Sequence, residues 1–357
     1  MTGQGRLKVA ECAALHFDGG RLVWDGYLTR QQFAITPASE EVLRFCARWR
    51  TPDELSAHPD GDLLPLAEHL LEAGLLVAEG SPEHAAEERV LDRWRRWGPA
   101  ARYLHFGART PRTAHFLARA ADRARMVAKA AVEPPPEPVK TYPGTQLTPV
   151  PTARPDDTGW PRARFLDAAY GRRSVRAFAP KPLPLADLGA VLQVAGGIID
   201  IVDDPATGPS TYKTSPSAGA RDPVELYVHA RDVAGLEPGV HHFSPARCGL
   251  EAIGPVLDPA QLAAAVGGQP WLAEAPALVI YTAVIERLQW RYESRRAYRD
   301  LLIGLGHVSQ TVLLTASAMG LGAVTATAVS DEALEELLGC DPVAEPVLAV
   351  TALGVAP

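Results

Sequence analysis

Cysteine is scarce in this 357-residue chain. The four present, Cys12, Cys46, Cys248 and Cys340, are scattered, with neither CxxC nor zinc-ligand spacing. That pattern argues against a disulfide framework and a zinc module. Thiols of this kind suit a reducing compartment, so a cytoplasmic protein is expected. Histidines, cysteines and carboxylates do not cluster along the chain, and no metal centre is expected. No run of 18 apolar residues is free of charge, and the first residues do not read as a signal peptide. Neither a membrane span nor a membrane partner is therefore expected. Cations are in deficit: the net charge is −7, the wrong sign for a general nucleic-acid binder. No internal repeat is present. What remains, 47% hydrophobic and 22% charged residues, is ordinary for a globular chain long enough for a sizeable core and two domains.

Residues 1–82 read as a small winged-helix-like domain. Leu22-Val23-Trp24 is strand-like. Thr36-Pro37 starts one helix with a cap and proline at the first position, and Thr51-Pro52-Asp53-Glu54 is a capping box for a second. A third amphipathic helix covers 63–74, and Leu75-Leu76-Val77-Ala78 resembles a wing strand. Seven Lys/Arg face twelve Asp/Glu over residues 1–80, which disfavours DNA contacts. Peptide recognition and a structural or dimer-forming role both remain open.

Residues 83–159 form a basic helical segment and a Pro-rich linker. Eleven Lys/Arg stand against two Asp/Glu over 89–130, interrupted by Trp94, Trp97, Tyr103, Leu104 and Phe106. This is either a helix pair packing its aromatics on the next domain or a surface for an acidic peptide. Pro134-Pro135-Pro136 and further prolines to Pro155 predict an extended segment able to wrap a neighbouring subunit. The third segment, 160–357, begins in earnest near Arg162 and reads as α+β. Leu185–Val194 predicts a helix. Val224–Val228 alternates like a strand, and Leu278–Tyr281 and Val347–Val350 are apolar strands. In the helix from Ala297 to Met319, Leu301, Leu305, Val308, Val312 and Met319 fall on one stripe, which marks core or subunit contact.

Three patches in this third segment carry chemistry. Arg172-Arg173-Ser174-Val175-Arg176 places alternating cations beside a hydroxyl, an arrangement that can hold a phosphate. Lys213-Thr214-Ser215-Pro216-Ser217-Ala218-Gly219-Ala220 follows, a turn whose glycine lets backbone approach a flat ligand. After the long helix, Gly320-Leu321-Gly322-Ala323-Val324-Thr325-Ala326-Thr327 reads as a loop able to aim amide N–H groups at a heteroatom.

These patches resemble the nitroreductase superfamily, and within it the SagB/McbC-type azoline dehydrogenases, which oxidise thiazolines and oxazolines in ribosomally made peptides to thiazoles and oxazoles. Pro216 to Tyr227, Gly235 to Phe243, Ala297-Tyr298-Arg299, Gly306 to Gln310 and Val350 to Gly354 carry the likeness, over roughly 160–357. The resemblance implies an FMN-dependent α+β sandwich, a central mostly antiparallel sheet flanked by helices, forming an intertwined homodimer with FMN at the subunit interface. It places Arg172, Arg173, Ser174 and Arg176 at the phosphate. Pro216, Ser217, Ala218 and Gly219 would lie at the ring edge, Lys213 near flavin N1/O2, and Gly322, Ala323 and Thr325 near N5. Its partners would be an azoline-containing precursor peptide and a cyclodehydratase.

Two positions depart from the branch. A Lys-Tyr pair usual there reads Arg291-Tyr292, and Gly304 stands where an acid is usual. Arginine stays protonated and cannot be a base. Tyr292 is therefore the first candidate for proton transfer, helped by Arg291 or Lys213. His307 is a secondary candidate as a proton shuttle, while His241 and His242 carry no assignment. The substitution at 291 keeps two other readings in view. One is a flavin enzyme reducing a dehydroamino acid or nitro group, and the other is a non-catalytic scaffold for a cyclodehydratase.

Overall fold

The computed structural model describes residues 5–110, 117–151 and 163–357. The linker's Pro155, the 159/160 boundary and the expected domain start at Arg162 lie outside the described residues. The chain divides into two compact units, 1–114 and 115–357, so the change of unit falls inside the basic segment.

The N-terminal unit begins with β1 (Leu7–Val9) and an antiparallel meander of β2 (Ala13–Asp18), β3 (Arg21–Gly26) and β4 (Gln31–Ala34). Three helices follow: α1 (Pro37–Phe45), α2 (Pro52–Ser56) and α3 (Leu64–Glu72). Their starts follow from local chemistry. The Thr36 side chain accepts from Ser39 N–H, and Thr51 and Glu54 satisfy each other's amides in a capping box. β5 (Leu76–Ala78), the expected wing strand, pairs antiparallel with β1, Leu7 facing Ala78. Leu7, Trp24, Val42, Leu55, Leu70 and Leu76 form the core of this unit. α4 (Pro82–Arg93) and α5 (Gly98–Gly107) complete it. Within it, the aromatics of the basic segment find partners: Tyr103 donates to Asp25, and Phe106 lies 6.3 Å from the Tyr27 ring.

In chain order, the second unit holds α6 (Arg119–Ala130), β6 (Leu147–Pro149), α7 (Phe165–Gly171), β7 (Leu183–Pro184), α8 (Leu185–Gly196), β8 (Asp200–Val202) and β9 (Ser210–Tyr212). Next come β10 (Val224–Ala230), β11 (Val233–Ala234), β12 (Gly239–Ser244), β13 (Gly249–Gly254), α9 (Pro259–Ala265) and α10 (Pro270–Ala273). The unit closes with β14 (Ala277–Ala283), α11 (Ile285–Arg291), α12 (Ala297–Ala318), β15 (Leu321–Ala326), α13 (Asp331–Leu338) and β16 (Val347–Val355). Seven strands form one sheet in the order β15-β16-β14-β10-β12-β13-β6, every pairing antiparallel. This is the α+β sandwich expected. Along β10, Leu226 and Val228 pack with α8 and α12, while Tyr227 joins the core on the other face. Both faces of the central strands are thus covered, which is why β10 and β14 are buried throughout.

α12 lies on the sheet through Leu301, Val308, Val312 and Ala316. By length and composition alone it is apolar enough to cross a membrane, but this stripe is spent on the sheet. The described part of the Pro-rich segment runs along its own chain. Glu133 O accepts from Trp290 Nε1 at 2.8 Å, Glu137 O accepts from Arg287 Nε at 2.9 Å, and β6 joins the sheet edge beside β13.

Candidate active site

α12 collects the first two patches. Near its C-terminal end, Ser317 Oγ donates to Ala168 O of α7 at 3.1 Å, and α7 leads directly into Arg172. Two turns earlier, Thr311 Oγ1 bonds Ser215 Oγ at 2.7 Å, and His307 Nδ1 lies 3.0 Å from Pro216 O. At 1.5 Å rise per residue, the contacts made by Thr311 and Ser317 are roughly 9 Å apart along the helix. The helix thus meets the 215–216 segment and the helix that leads into the arginine segment. Because Pro216 O can only accept, His307 Nδ1 must donate, which leaves Nε2 of the neutral ring as an acceptor.

The third patch joins the first, but not as expected. Gly322 to Ala326 is not a loop; it belongs to edge strand β15, paired with β16. Ser174 forms a parallel bridge to Ala323, and Val175 N–H donates to Ala323 O at 3.1 Å. A Cβ on Gly322 would lie 2.8 Å from Val175 Cγ1, and one on Gly354 would lie 2.7 Å from Phe178 Cδ1. These glycines let the arginine segment dock on the sheet. Thr325 Oγ1 bonds Thr351 Oγ1 across to β16 at 2.7 Å.

Within the arginine segment, Arg173, Ser174 and Arg176 are exposed and Arg172 is half-buried. Arg173 turns back to the carbonyls of Tyr170 and Arg172 at 2.8 and 2.9 Å, so it serves the end of α7. The Arg176 guanidinium lies over the Trp271 ring at 5.4 Å. Arg172 forms no ion pair among the described residues. An exposed hydroxyl between two arginines whose charge no carboxylate among the described residues takes up is a donor set that fits a phosphate.

The turn at Ala218–Ala220 sits against Arg291 and Tyr292. Gly219 has φ +62°, and a Cβ there would lie 2.9 Å from Tyr292 Oη and 3.2 Å from Arg291 Cγ. Gly219 thus makes room for Tyr292. Tyr292 caps α11, its N–H donating to Leu288 O at 2.7 Å, and the Arg291 guanidinium covers its ring at 4.6 Å. A cavity of about 400 Å³ opens beside Tyr292, with Ile285, Leu288, Tyr298 and Leu301 in its walls.

Both cations expected to assist Tyr292 are already matched by acids. Arg291 grips Asp122 of α6 with two bonds, 2.5 and 3.3 Å, and this contact holds the Asp122 carboxyl below the usual range. Lys213 has only 8% of its side chain exposed and meets Asp222 Oδ2 at 2.5 Å. Neither presents an uncompensated charge. α6 is fastened further by Lys129 to Glu293 at 2.7 Å and Arg123 to Asp204 at 2.5 Å.

Sequence reasoning missed Asp122, although it is one of only two acids in the basic stretch 89–130. It also missed a chain of charges on the sheet, buried except for its last member, Arg247. Arg287 meets Glu225 at 2.6 Å, His242 lies between Glu225 at 3.0 Å and Glu251 at 2.8 Å, and Arg247 closes on Glu251 at 2.8 Å. Burial pushes the Glu225 carboxyl up, but the His242 hydrogen bond and the Arg287 charge outweigh it and hold the group at about 2. One cluster of metal-ligand type appears among the described residues, Glu41, His58 and Asp60 in the N-terminal unit. There His58 Nδ1 already accepts from Asp60 N–H at 3.3 Å.

A seven-stranded antiparallel sheet between helices, with an anion-type patch docked on its edge and a tyrosine-backed turn beside a cavity, is the architecture of a flavin-type oxidoreductase. Residues 169–355 match the nitroreductase family, and the chain belongs to that family. Nitroreductase MJ1384 of Methanocaldococcus jannaschii is 38% identical over 175 residues, covering 48% of this chain and 82% of that protein. The trifolitoxin-processing protein TfxB of Rhizobium leguminosarum bv. trifolii is 33% identical over 181 residues, covering 50% of this chain and 48% of TfxB. The solved structure of a nitroreductase from Anabaena variabilis is 23% identical, covers 61% of this chain and 44% of that one, and gives a TM-score of 0.49. The chain thus spans about half the length of TfxB and less than half of the Anabaena protein.

Proposed function

We propose that this protein is an FMN-dependent dehydrogenase that oxidises thiazoline or oxazoline rings in a ribosomally made peptide, working as a cytoplasmic homodimer. The observation that carries this reading is the meeting of the 216–220 turn with Tyr292 beside an open cavity, while α12 bonds both that turn's start and α7, which leads into the arginine segment. Likeness to a protein named for processing trifolitoxin supports a peptide as the substrate. Arg172, Ser174 and Arg176 would hold the FMN phosphate, and Pro216 to Ala218 would face the ring edge. When bound, FMN supplies the two-electron acceptor, with dioxygen as its final oxidant.

An azoline already contains C=N, so the proton on its adjacent carbon is acidified, and aromatisation makes its loss favourable. Tyr292 would take that proton as its phenolate, its own hydroxyl proton having first left to solvent through the cavity. Arg291, held by Asp122, covers one face of the Tyr292 ring and fixes its orientation. Leu288 and Leu301 give the cavity beside it an apolar wall.

The homodimer is supported by apolar side chains left in solvent on α7 and α12: Phe165 is 70% exposed, Leu166 63%, Tyr170 79% and Ile303 55%. Large apolar side chains exposed in this number mark an association surface. A cyclodehydratase is the proposed source of the azoline substrate.

Purified protein should be yellow, or become so with added FMN, and should oxidise an azoline peptide in air without a nicotinamide. A preparation that stays colourless in excess FMN rejects the reading and favours a scaffold. A yellow protein that turns over only with NAD(P)H, on a nitro compound or dehydroamino acid, favours the reductase that Arg291 keeps in view.

A further inference from the structure

The N-terminal unit encloses a second cavity, of about 390 Å³, independent of the redox reading. Trp24, Leu28, Leu71 and Leu76 give it an apolar wall, and Glu83 and Glu87, one turn apart on α4, add two acids. Glu87 is 4% exposed. Its Oε1 accepts from Cys12 N–H at 2.8 Å, yet no lysine, arginine or histidine pairs with it among the described residues. Lys8, whose charge acts on Glu87, is paired with Glu11. Burial pushes the Glu87 carboxyl up, and the backbone amides of Cys12 and Glu11 offset this only in part; a cationic ligand head would hold it ionised and supply the missing counter-charge. The surrounding sequence is acidic as well, with seven Lys/Arg against twelve Asp/Glu over residues 1–80.

We infer that this cavity receives a lysine or arginine side chain presented by a peptide, its aliphatic stem against Trp24, Leu71 and Leu76 and its cationic head at Glu87 and Glu83. Long cationic side chains combine an apolar stem with a charged tip, and few other groups satisfy an apolar wall and an acid at once. A purely aliphatic side chain would leave Glu87 unpaired. An acidic one would meet two carboxylates.

The test uses the full-length protein and two blocked pentapeptides, Ala-Ala-Lys-Ala-Ala and its norleucine counterpart, titrated by calorimetry. The lysine peptide should bind at least about tenfold more tightly, the worth of one hydrogen bond to a charged group. Glu87→Gln keeps an oxygen for Cys12 N–H and should abolish the preference while leaving the norleucine affinity in place. Ala86→Trp, at an exposed position on the cavity rim, should block both peptides, and it serves alone if Glu87→Gln does not fold. Equal affinities for the two peptides, no binding of either, or a lysine preference that survives these substitutions overturns the inference. Because none of these readings involves flavin or turnover, a failure here leaves the redox assignment untouched, and the converse also holds.

Discussion

Tyr292 is the residue on which the proposed chemistry turns, since Arg291 cannot act as a base and Lys213 is spent on Asp222. Tyr292→Phe removes one oxygen and keeps the ring under the Arg291 guanidinium. Turnover should fall at least about tenfold, a conservative bound beneath the ~10²–10⁴ typical of a positioned acid–base group, while bound FMN is retained. Unchanged turnover by a flavin-containing variant would remove Tyr292 from the mechanism. Glu225 answers a different question, how the sheet beneath the site is held. Its carboxyl titrates near 4.5 in the unfolded chain and near 2 in the fold. Its contribution is therefore complete above pH 4.5 and is lost as pH falls towards 2. Glu225→Gln leaves Arg287 and His242 with a neutral partner, and about 3–5 kcal/mol of stability should disappear at neutral pH. Denaturant melts at several pH values should show a shallower acid dependence in the variant than in the parent; parallel curves would mean that Glu225 does not supply it.

At the scale of elements, the glycines divide the site into separable parts. Gly219→Ala forces a side chain into a left-handed turn and against Tyr292 Oη, 2.9 Å away. Gly322→Ala pushes on Val175, 2.8 Å away, and so lifts the arginine segment off β15. The first should lower turnover with FMN still bound, and the second should loosen FMN before it touches the chemistry. Flavin fluorescence after gel filtration distinguishes them, and loss of FMN from Gly219→Ala alone would reverse the assignment. What was legible in the sequence follows the same division between local and distant. The caps at Thr36 and Thr51, the Leu301–Val312 stripe and the strands at 224, 278 and 347 are each written within a few residues, so they could be read directly. β15 was misread because Gly-Leu-Gly-Ala looks like a loop until β16 supplies its ladder. The Arg291–Asp122 grip joins residues 169 apart, and His242 meets its two acids only when β10, β12 and β13 align. No periodicity or spacing announces such pairs.

On the scale of the whole molecule, the second unit leaves unusual apolar area in water. α12 buries Leu301, Val308 and Val312 on the sheet but exposes Leu302 and Ile303, and α7 exposes Phe165, Leu166 and Tyr170. A stable dimer buries about 800 Å² per partner, and a face of this composition is suited to it. A charge placed in such a face opposes association without disturbing the buried stripe. Ile303→Glu should therefore shift the protein from dimer to monomer in light scattering, at a thermal stability close to the parent's for the isolated subunit. If FMN sits between two copies, the same substitution should also bleach the protein. A variant that becomes monomeric and keeps its flavin would place the cofactor within a single chain, and one that remains dimeric would move the interface away from α12.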